Sequence, residues 1–320
     1  MLWKFSALML VLIGSFTSMF TLHAQTDATA CAAPADAVIG ESTEYEIDFD
    51  GDTRRYLLYI PESYDASATP ALVMSLHGFG SNPQDQQLIT RWNDVADENG
   101  FVVVYPEGSS IPLRWNYDET GLLAIFNQAD DVGFIETLID QLIESYCVDS
   151  ARVYATGMSN GAGMTHRLAC ELEDRIAAVG MVAGSYPALD ADCELSRPIP
   201  IIAFHGTADP IVPFEGGIVP PGTNLPNVSD AMQAWADRLG CTQTSSADLG
   251  AVDYAIATYT TCDDDSSLVF YTIYEGGHTW PGAPSLSPED DQAFGITSPL
   301  FASEIMWEFF LIHHLIQPVS

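Results

Sequence analysis

The sequence predicts an α/β fold with one doubly wound, mostly parallel β-sheet and helices on both faces. Continuous apolar runs such as ALVMSLHG and GFVVVYPEG are typical of strands buried on both faces, and they alternate with segments of helical periodicity. The chain of 320 residues is 47% hydrophobic and shows no break in composition. One large domain is therefore expected, and we place it at residues 43–320.

The first predicted elements come before and between these two runs. STEYEIDFDGDTRRYLLYIP alternates polar and apolar residues around Asp50 and Gly51, which predicts a β-hairpin. The segment QQLITRWNDVADE predicts one helix, because several apolar side chains share a face at helical spacing. Those side chains are Leu88, Trp92, Val95 and Ala96. The two buried runs and this helix form a β-α-β unit.

The later elements complete the sheet. VGFIETLIDQLIESY repeats apolar residues at helical spacing and predicts a long helix. RVYATG, IAAVGMVAG, PIIAFHG and LVFYTIYEG predict four further buried strands. Residues 226–240 and 303–315 predict two more helices, the second with Ile305, Phe309 and Ile312 facing inward.

The N-terminus indicates export. Residues 1–24 combine one basic residue, Lys4, with an apolar centre and a final alanine, which is typical of a secretory signal peptide cleaved after Ala24. An uncleaved membrane anchor and a lipidated Cys31 remain alternatives. Residues 25–42 are expected to form a leader. The mature protein would then be secreted or periplasmic and free of the membrane.

Six cysteines fit an oxidising compartment. They form no C-x-x-C metal or redox pair, and an even number in an exported chain favours disulfides. Proximity along the chain suggests Cys170 with Cys193 and Cys241 with Cys262. Elimination leaves Cys31 with Cys147. Reduced, buried cysteines remain the alternative.

The charge balance excludes several classes of partner. The formal net charge is −34, and Lys4 is the only lysine. After signal cleavage no lysine remains for Schiff-base chemistry or a P-loop, and the negative field repels nucleic acids and anionic membranes. We expect a neutral or weakly charged substrate and no nucleic-acid partner.

A candidate nucleophile lies in the stretch TGMSNGAG, directly after the strand-like RVYA. A serine in a G-x-S-x-G turn is held in strained backbone geometry between a strand and a helix, so its flanking positions must be small. Gly157 and Gly161 meet that need around Ser159. A glycine-rich surface loop is the alternative interpretation.

Two further strand ends carry the partners that such a serine requires. Asp209 follows PIIAFHG in GTADP, and His278 follows LVFYTIYEG in GGHTWPG. The order Ser, acid, His is that of the α/β-hydrolase sheet. Other carboxylates remain possible as the acid, namely Asp130, Asp131, Asp190 and Asp192. His77 and His205 each precede a glycine at a strand end, where we interpret them as turn-stabilising residues.

The loop LHGFG after the first parallel strand predicts one half of an oxyanion hole. The backbone N–H of Phe79 is our candidate there, and that of Asn160, directly after the nucleophile, is the second. Because both act through the main chain, we expect their side chains to be replaceable with modest loss.

The set LHGFG, GFVVVYPEG, RWN, DDVGFI, RVYATGMSNGAGM, GTADPIVPF and GGHTWPG resembles the secreted esterases that group polyhydroxybutyrate depolymerases with feruloyl and acetylxylan esterases. The resemblance covers about Glu44 to His314. It implies an α/β-hydrolase fold and a serine esterase without cofactor or metal, whose triad is Ser159, Asp209 and His278.

The substrate expected from the sequence is a plant cell-wall ester, feruloyl or acetyl. We expect no polymer-binding module after the predicted domain. Trp115 and Trp280 are expected near the predicted crevice, where they could stack on a sugar or phenolic ring. Packing of loops is the alternative role of both tryptophans. A polyhydroxybutyrate or oligomer hydrolase, an acyltransferase and a non-catalytic binding protein on the same scaffold remain alternatives.

Overall fold

A ten-stranded sheet forms the centre of the molecule, in the order β1-β2-β4-β3-β5-β6-β7-β12-β11-β10. The computed structural model describes residues 34, 37–118, 128–187, 193–219, 223–248, 253–285 and 288–316, which all belong to one compact unit, Cys31–Ser320. Over these residues no helix is long and apolar enough to span a membrane. The predicted signal, residues 1–24, and most of the leader, residues 25–42, lie outside the described residues.

The strands of the described residues are β1 (Thr43–Phe49), β2 (Asp52–Tyr59), β3 (Leu72–Leu76), β4 (Val102–Pro106), β5 (Val153–Met158), β6 (Ala178–Val182), β7 (Ile201–Gly206), β8 (Gly217–Val219), β9 (Thr223–Leu225), β10 (Gln243–Asp248), β11 (Tyr254–Thr260) and β12 (Leu268–Ile273). The helices are α1 (Pro83–Thr90), α2 (Trp92–Asn99), α3 (Asp131–Tyr146), α4 (Asn160–Glu171), α5 (Val228–Arg238), α6 (Pro288–Phe294) and α7 (Ala302–Phe310).

Six parallel strands occupy the middle of the sheet, from β4 to β12, and antiparallel pairs flank them on each side. The predicted hairpin is confirmed as β1 and β2, and Asp50 and Gly51 both adopt positive φ in its turn. A two-residue turn with positive φ matches the twist of paired strands. A separate small hairpin joins β8 to β9.

Both faces of the sheet are covered, as the apolar runs predict. Leu72, Met74 and Leu76 of β3 pack on the side of α3, α4 and α5, while Val73 packs on the side of α2 and α7. Successive side chains of a strand point to opposite faces, so a strand between two helical layers is apolar throughout. The predicted doubly wound architecture is confirmed.

Two predicted helices differ in the structure. The segment QQLITRWNDVADE forms two helices, because Arg91 adopts a left-handed conformation with φ 53° and closes α1. Leu88 then lies on a different face from Trp92 and is 52% exposed. The last helix ends at Phe310 instead of residue 315, which leaves Ile312 72% exposed.

Two disulfides stabilise the half of the sheet after β5. Cys170 pairs with Cys193 and Cys241 with Cys262, as proximity along the chain suggests. The third predicted pair includes Cys31, which lies outside the described residues. The pair Cys31 with Cys147 therefore stays a prediction.

Candidate active site

Ser159 occupies the turn between β5 and α4 in a strained conformation, φ 56° and ψ −119°. Its N–H donates to the carbonyl oxygen of Val182, which fixes the turn against β6. A Cβ atom on Gly157 would clash with the carbonyl oxygen of Gly161, and one on Gly161 would clash with that of Leu76. Close backbone approach therefore requires both glycines, as the sequence pattern predicts.

Asp209 and His278, which follow the ends of β7 and β12, lie together. The Asp209 Oδ1 atom accepts hydrogen bonds from the backbone N–H groups of Ile211 and Val212, both at 2.8 Å. Its Oδ2 atom is 2.8 Å from His278 Nδ1, and both side chains are buried. A carboxylate only accepts, so the hydrogen of a neutral His278 ring lies on Nδ1. The Nε2 lone pair is then free to take a proton.

His205 provides a second contact to the same carboxylate. Its Nε2 atom is 2.9 Å from the carbonyl oxygen of Val212 and 3.5 Å from Asp209 Oδ2. Both neighbours are acceptors, and burial lowers the pKa of the imidazole, so the ring is neutral with its hydrogen on Nε2. His205 thus stabilises the turn that carries Asp209, in keeping with the role expected of it.

The other described carboxylates considered as the acid have different partners. Asp131 is buried in an ion pair with Arg54 at 2.8 Å and accepts the backbone N–H of Asn116. Burial raises the pKa of its carboxyl group. Asp130 caps α3 by accepting the N–H of Gly133. Asp190 and Asp192 lie outside the described residues.

A cavity of about 390 Å³ opens above Ser159 and His278. Its described lining is Gly78, Phe79, Gly80, Ser81, Asp85, Ile89, Met158, Ser159, His278, Thr279, Trp280, Ala283, Pro284, Ser285, Phe294, Gly295 and Thr297. Cavities of this size hold small organic ligands. Ser159 and His278, both within the described residues, form no hydrogen bond with each other. Such catalytic contacts are often long before substrate binds and tighten in the complex.

Two backbone N–H groups are available beside the serine. A Cβ atom on Gly78 would lie 3.4 Å from that of Ser159, so the LHGFG loop passes close to the nucleophile. Within the part of the chain that the structure describes, neither the Phe79 N–H nor the Asn160 N–H donates to another protein group. Asn160 is the first residue of α4, where backbone N–H groups lack acceptors inside the helix. The oxyanion hole expected from these two N–H groups stays a prediction.

Both tryptophans expected at the crevice have buried side chains. Trp115 is 2% exposed, and its indole N–H donates to the carbonyl oxygen of His77 at 3.0 Å. It has almost no exposed surface for a ring to stack on, so its burial does not support the expected stacking role, which stays a prediction. Trp280 reaches the cavity wall, but its ring is buried and its indole N–H donates to Ser303 Oγ at 3.1 Å. Both side chains pack the loops around the cavity.

Sequence reasoning missed two side chains of the site. The Asn160 side chain accepts the Trp115 N–H at 2.7 Å and donates to the Trp115 carbonyl oxygen at 3.2 Å. Asp85 enters the cavity wall from the first turn of α1. The sequence places neither contact, because both depend on how separate loops meet in space.

Comparisons with known proteins agree with this architecture. The family model described as Esterase PHB depolymerase matches residues 54–207. Feruloyl esterase C of Emericella nidulans is 30% identical over 261 residues, covering 81% of this chain and 84% of the relative. The bifunctional acetylxylan esterase/xylanase XynS20E of Neocallimastix patriciarum is 33% identical over 144 residues, covering 45% of this chain and 20% of the relative.

The fold also has a counterpart among solved structures. The acetyl xylan esterase from Aspergillus awamori superposes with a TM-score of 0.53 at 18% identity, covering 78% of this chain and 98% of that chain. At this identity the likeness concerns the fold alone, which is the α/β-hydrolase fold.

Proposed function

Because the chain belongs to the Esterase PHB depolymerase family and is a carboxylic ester hydrolase, we propose that it works through a Ser159–His278–Asp209 triad and a covalent acyl-enzyme. The observation that carries this proposal is the 2.8 Å hydrogen bond from His278 Nδ1 to Asp209 Oδ2 at the cavity that Ser159 also lines. A nucleophile, a base and an orienting acid at one cavity are what acyl transfer requires.

The first half of the reaction forms the acyl-enzyme. Ser159 Oγ attacks the ester carbonyl carbon while its proton passes to His278 Nε2. Asp209 Oδ2 stabilises the imidazolium through the Nδ1 hydrogen, and the N–H groups of Phe79 and Asn160 bind the oxyanion. His278 then gives the proton to the leaving alkoxide as the carbon–oxygen bond breaks.

The second half reverses these roles with water as the nucleophile. Water attacks the acyl carbon and passes a proton to His278 Nε2. The bond between the acyl carbon and Ser159 Oγ breaks, and His278 returns the proton to Ser159. The products are one carboxylic acid and one alcohol, and the enzyme is unchanged.

The substrate we favour is an uncharged cell-wall ester, feruloyl or acetyl. Feruloyl esterase C and the bifunctional acetylxylan esterase/xylanase are relatives whose names carry these activities. Among the described lining residues apolar and polar side chains are equal in number, one is a carboxylate, Asp85, and none is Lys or Arg. Such a cavity has no cation to pair with an anionic substrate and favours a neutral ester. A hydrolase of hydroxybutyrate oligomers is the second candidate, because the family description names that polyester.

Kinetics with a small ester panel test this preference. We expect methyl ferulate or acetylated xylo-oligosaccharides to have higher kcat/KM than a hydroxybutyrate trimer. The trimer carries a free carboxylate, which Asp85 and the overall negative charge repel. Clearing of a polyhydroxybutyrate film without action on either cell-wall ester would contradict the preference.

A neutral trimer distinguishes the effect of substrate charge on the rate from the effect of acyl structure. The methyl ester of the trimer should be cleaved faster than the free acid, and Asp85→Asn should narrow that difference about two- to fivefold, as expected for a charge near the protein surface. Glu98→Gln is the matched control, since it removes an exposed acid of α2 outside the cavity lining. If both variants reduce the rate difference between the methyl ester and the free acid equally, the net charge of the protein, and not Asp85, causes that difference.

We also propose that the protein is exported. Two disulfides among the described residues support an oxidising compartment, together with the signal predicted at residues 1–24. N-terminal sequencing of protein recovered outside the cytoplasm should find Gln25 first. Intact protein that keeps Met1 and stays in the membrane fraction would contradict cleavage.

A further inference from the structure

Trp115 connects the two loops that carry the oxyanion donors. Its backbone N–H and carbonyl oxygen both bond to the side chain of Asn160, at 2.7 and 3.2 Å. Its indole N–H donates to the carbonyl oxygen of His77 at 3.0 Å. Trp115 therefore links Asn160, the first residue of α4, to the LHGFG loop: its backbone groups bond to Asn160 and its indole bonds to His77.

The His77 side chain fixes the LHGFG loop through two further hydrogen bonds. Its Nε2 atom accepts the backbone N–H of Gly108 at 2.9 Å, and Nδ1 donates to the carbonyl oxygen of Gly78 at 2.8 Å. Burial lowers the pKa of this imidazole, which keeps Nε2 free to accept. The His77 ring also lies against the Trp115 indole, with 5.3 Å between centroids. Phe79, the proposed donor, follows two residues later.

The residue after Trp115 is fixed from the opposite side. The Asn116 N–H donates to Asp131 Oδ2 at 2.8 Å, and Asp131 is paired with Arg54. Arg167 of α4 donates to the Asn116 carbonyl oxygen at 2.8 Å. The segment that carries Trp115 is thus anchored in buried contacts and cannot shift without breaking them.

We propose that Trp115 is a positioning residue that sets the separation of the Phe79 and Asn160 N–H groups. This inference rests on the proposed function, in which those groups bind the oxyanion. Such donors lower the barrier because they are already oriented before charge develops, and small displacements reduce their effect. Trp115 itself does not touch the substrate.

Trp115→Phe tests the proposal, because it keeps an aromatic ring and removes only the indole N–H and part of the ring. Full loss of one oxyanion donor costs about 10²–10³ in kcat, and a displaced donor should cost less, about 10- to 100-fold. We expect that loss with p-nitrophenyl acetate at nearly unchanged KM. The matched control is Trp92→Phe, since Trp92 is also fully buried but its indole N–H has no partner among the described residues. This control should keep its kcat.

A second variant covers the case in which Trp115→Phe fails to fold. Asn160→Ala keeps the backbone N–H and removes both side-chain bonds to Trp115, so it should lose kcat to a similar extent. The expectation that the Asn160 side chain is replaceable with modest loss would then be wrong. The double variant should lose less than the product of the two single losses, because both changes open one connection.

The affinity of a boronic acid inhibitor is a measurement that should stay unchanged if Trp115 has only a structural role. Its serine adduct places an oxygen where the oxyanion forms, so its affinity should weaken in parallel with kcat in both variants. If Trp115→Phe or Asn160→Ala has the same kcat and the same boronate affinity as the control Trp92→Phe, the proposal is overturned. Turnover that survives Ser159→Ala would instead overturn the proposed function, whatever the Trp115 variants show.

Discussion

Ser159→Ala is expected to reduce kcat by up to about a millionfold, as removal of a triad nucleophile does. The cavity-lining Ser159 hydroxyl has no hydrogen bond among the described residues, so the backbone of the turn should survive the change. Ester hydrolysis and thermal unfolding are to be measured on the same preparation. A variant that folds normally and still turns over at a rate near the parent would exclude Ser159 as the nucleophile.

His278→Ala and Asp209→Asn should both inactivate the enzyme, but to different degrees. Loss of His278 removes the base and should cost about as much as loss of the serine. In Asp209→Asn the N–H groups of Ile211 and Val212 select the amide oxygen, which turns the amide NH₂ toward His278 Nδ1. The histidine hydrogen must then move to Nε2, the wrong tautomer for a base, at a cost of about 10⁴ in kcat.

Asp130→Asn is the matched control for the acid, because Asp130 caps α3 and, among the described residues, forms no hydrogen bond with Ser159, Asp209 or His278. It should keep full activity. If kcat falls in Asp130→Asn and not in Asp209→Asn, the acid has been assigned to the wrong residue.

Much of the sheet could be predicted because its centre is buried on both faces. Continuous apolar runs predicted six of its strands, namely β3, β4, β5, β6, β7 and β12. In an α/β chain such runs are typical of strands that are buried on both faces. The antiparallel strands β10 and β11 were not predicted. β10 is the polar sequence QTSSAD. β11, YAIATYT, has only a short apolar stretch before its first Thr, and most of its side chains are half-buried.

The break between α1 and α2 could not be predicted from periodicity. QQLITRWNDVADE contains no Gly or Pro at the break, and the structure instead places Arg91 at positive φ, where it pairs with Asp94 and lies over the Phe301 ring. The contact with Phe301 joins residues far apart in sequence. Tertiary contacts of this kind override local propensity.

In the candidate site, too, some residues could be predicted from local sequence and others depend on tertiary contacts. The serine turn, Asp209 and His278 lie at strand ends that the apolar runs identify, so their meeting at one edge of the sheet follows from the fold. Trp115 was expected at the cavity because aromatic residues near a crevice often bind rings. Its burial depends on Asn160 and His77, two partners far away in sequence, and no local pattern reports those contacts.

Covalent labelling tests the central claim most directly. A fluorophosphonate probe reacts with an activated serine, and intact mass followed by peptide mapping identifies the labelled residue. The proposed mechanism predicts one added group per chain, located on Ser159, absent in Ser159→Ala and strongly slowed in His278→Ala. An active enzyme that is labelled on another residue, or not at all, would contradict it.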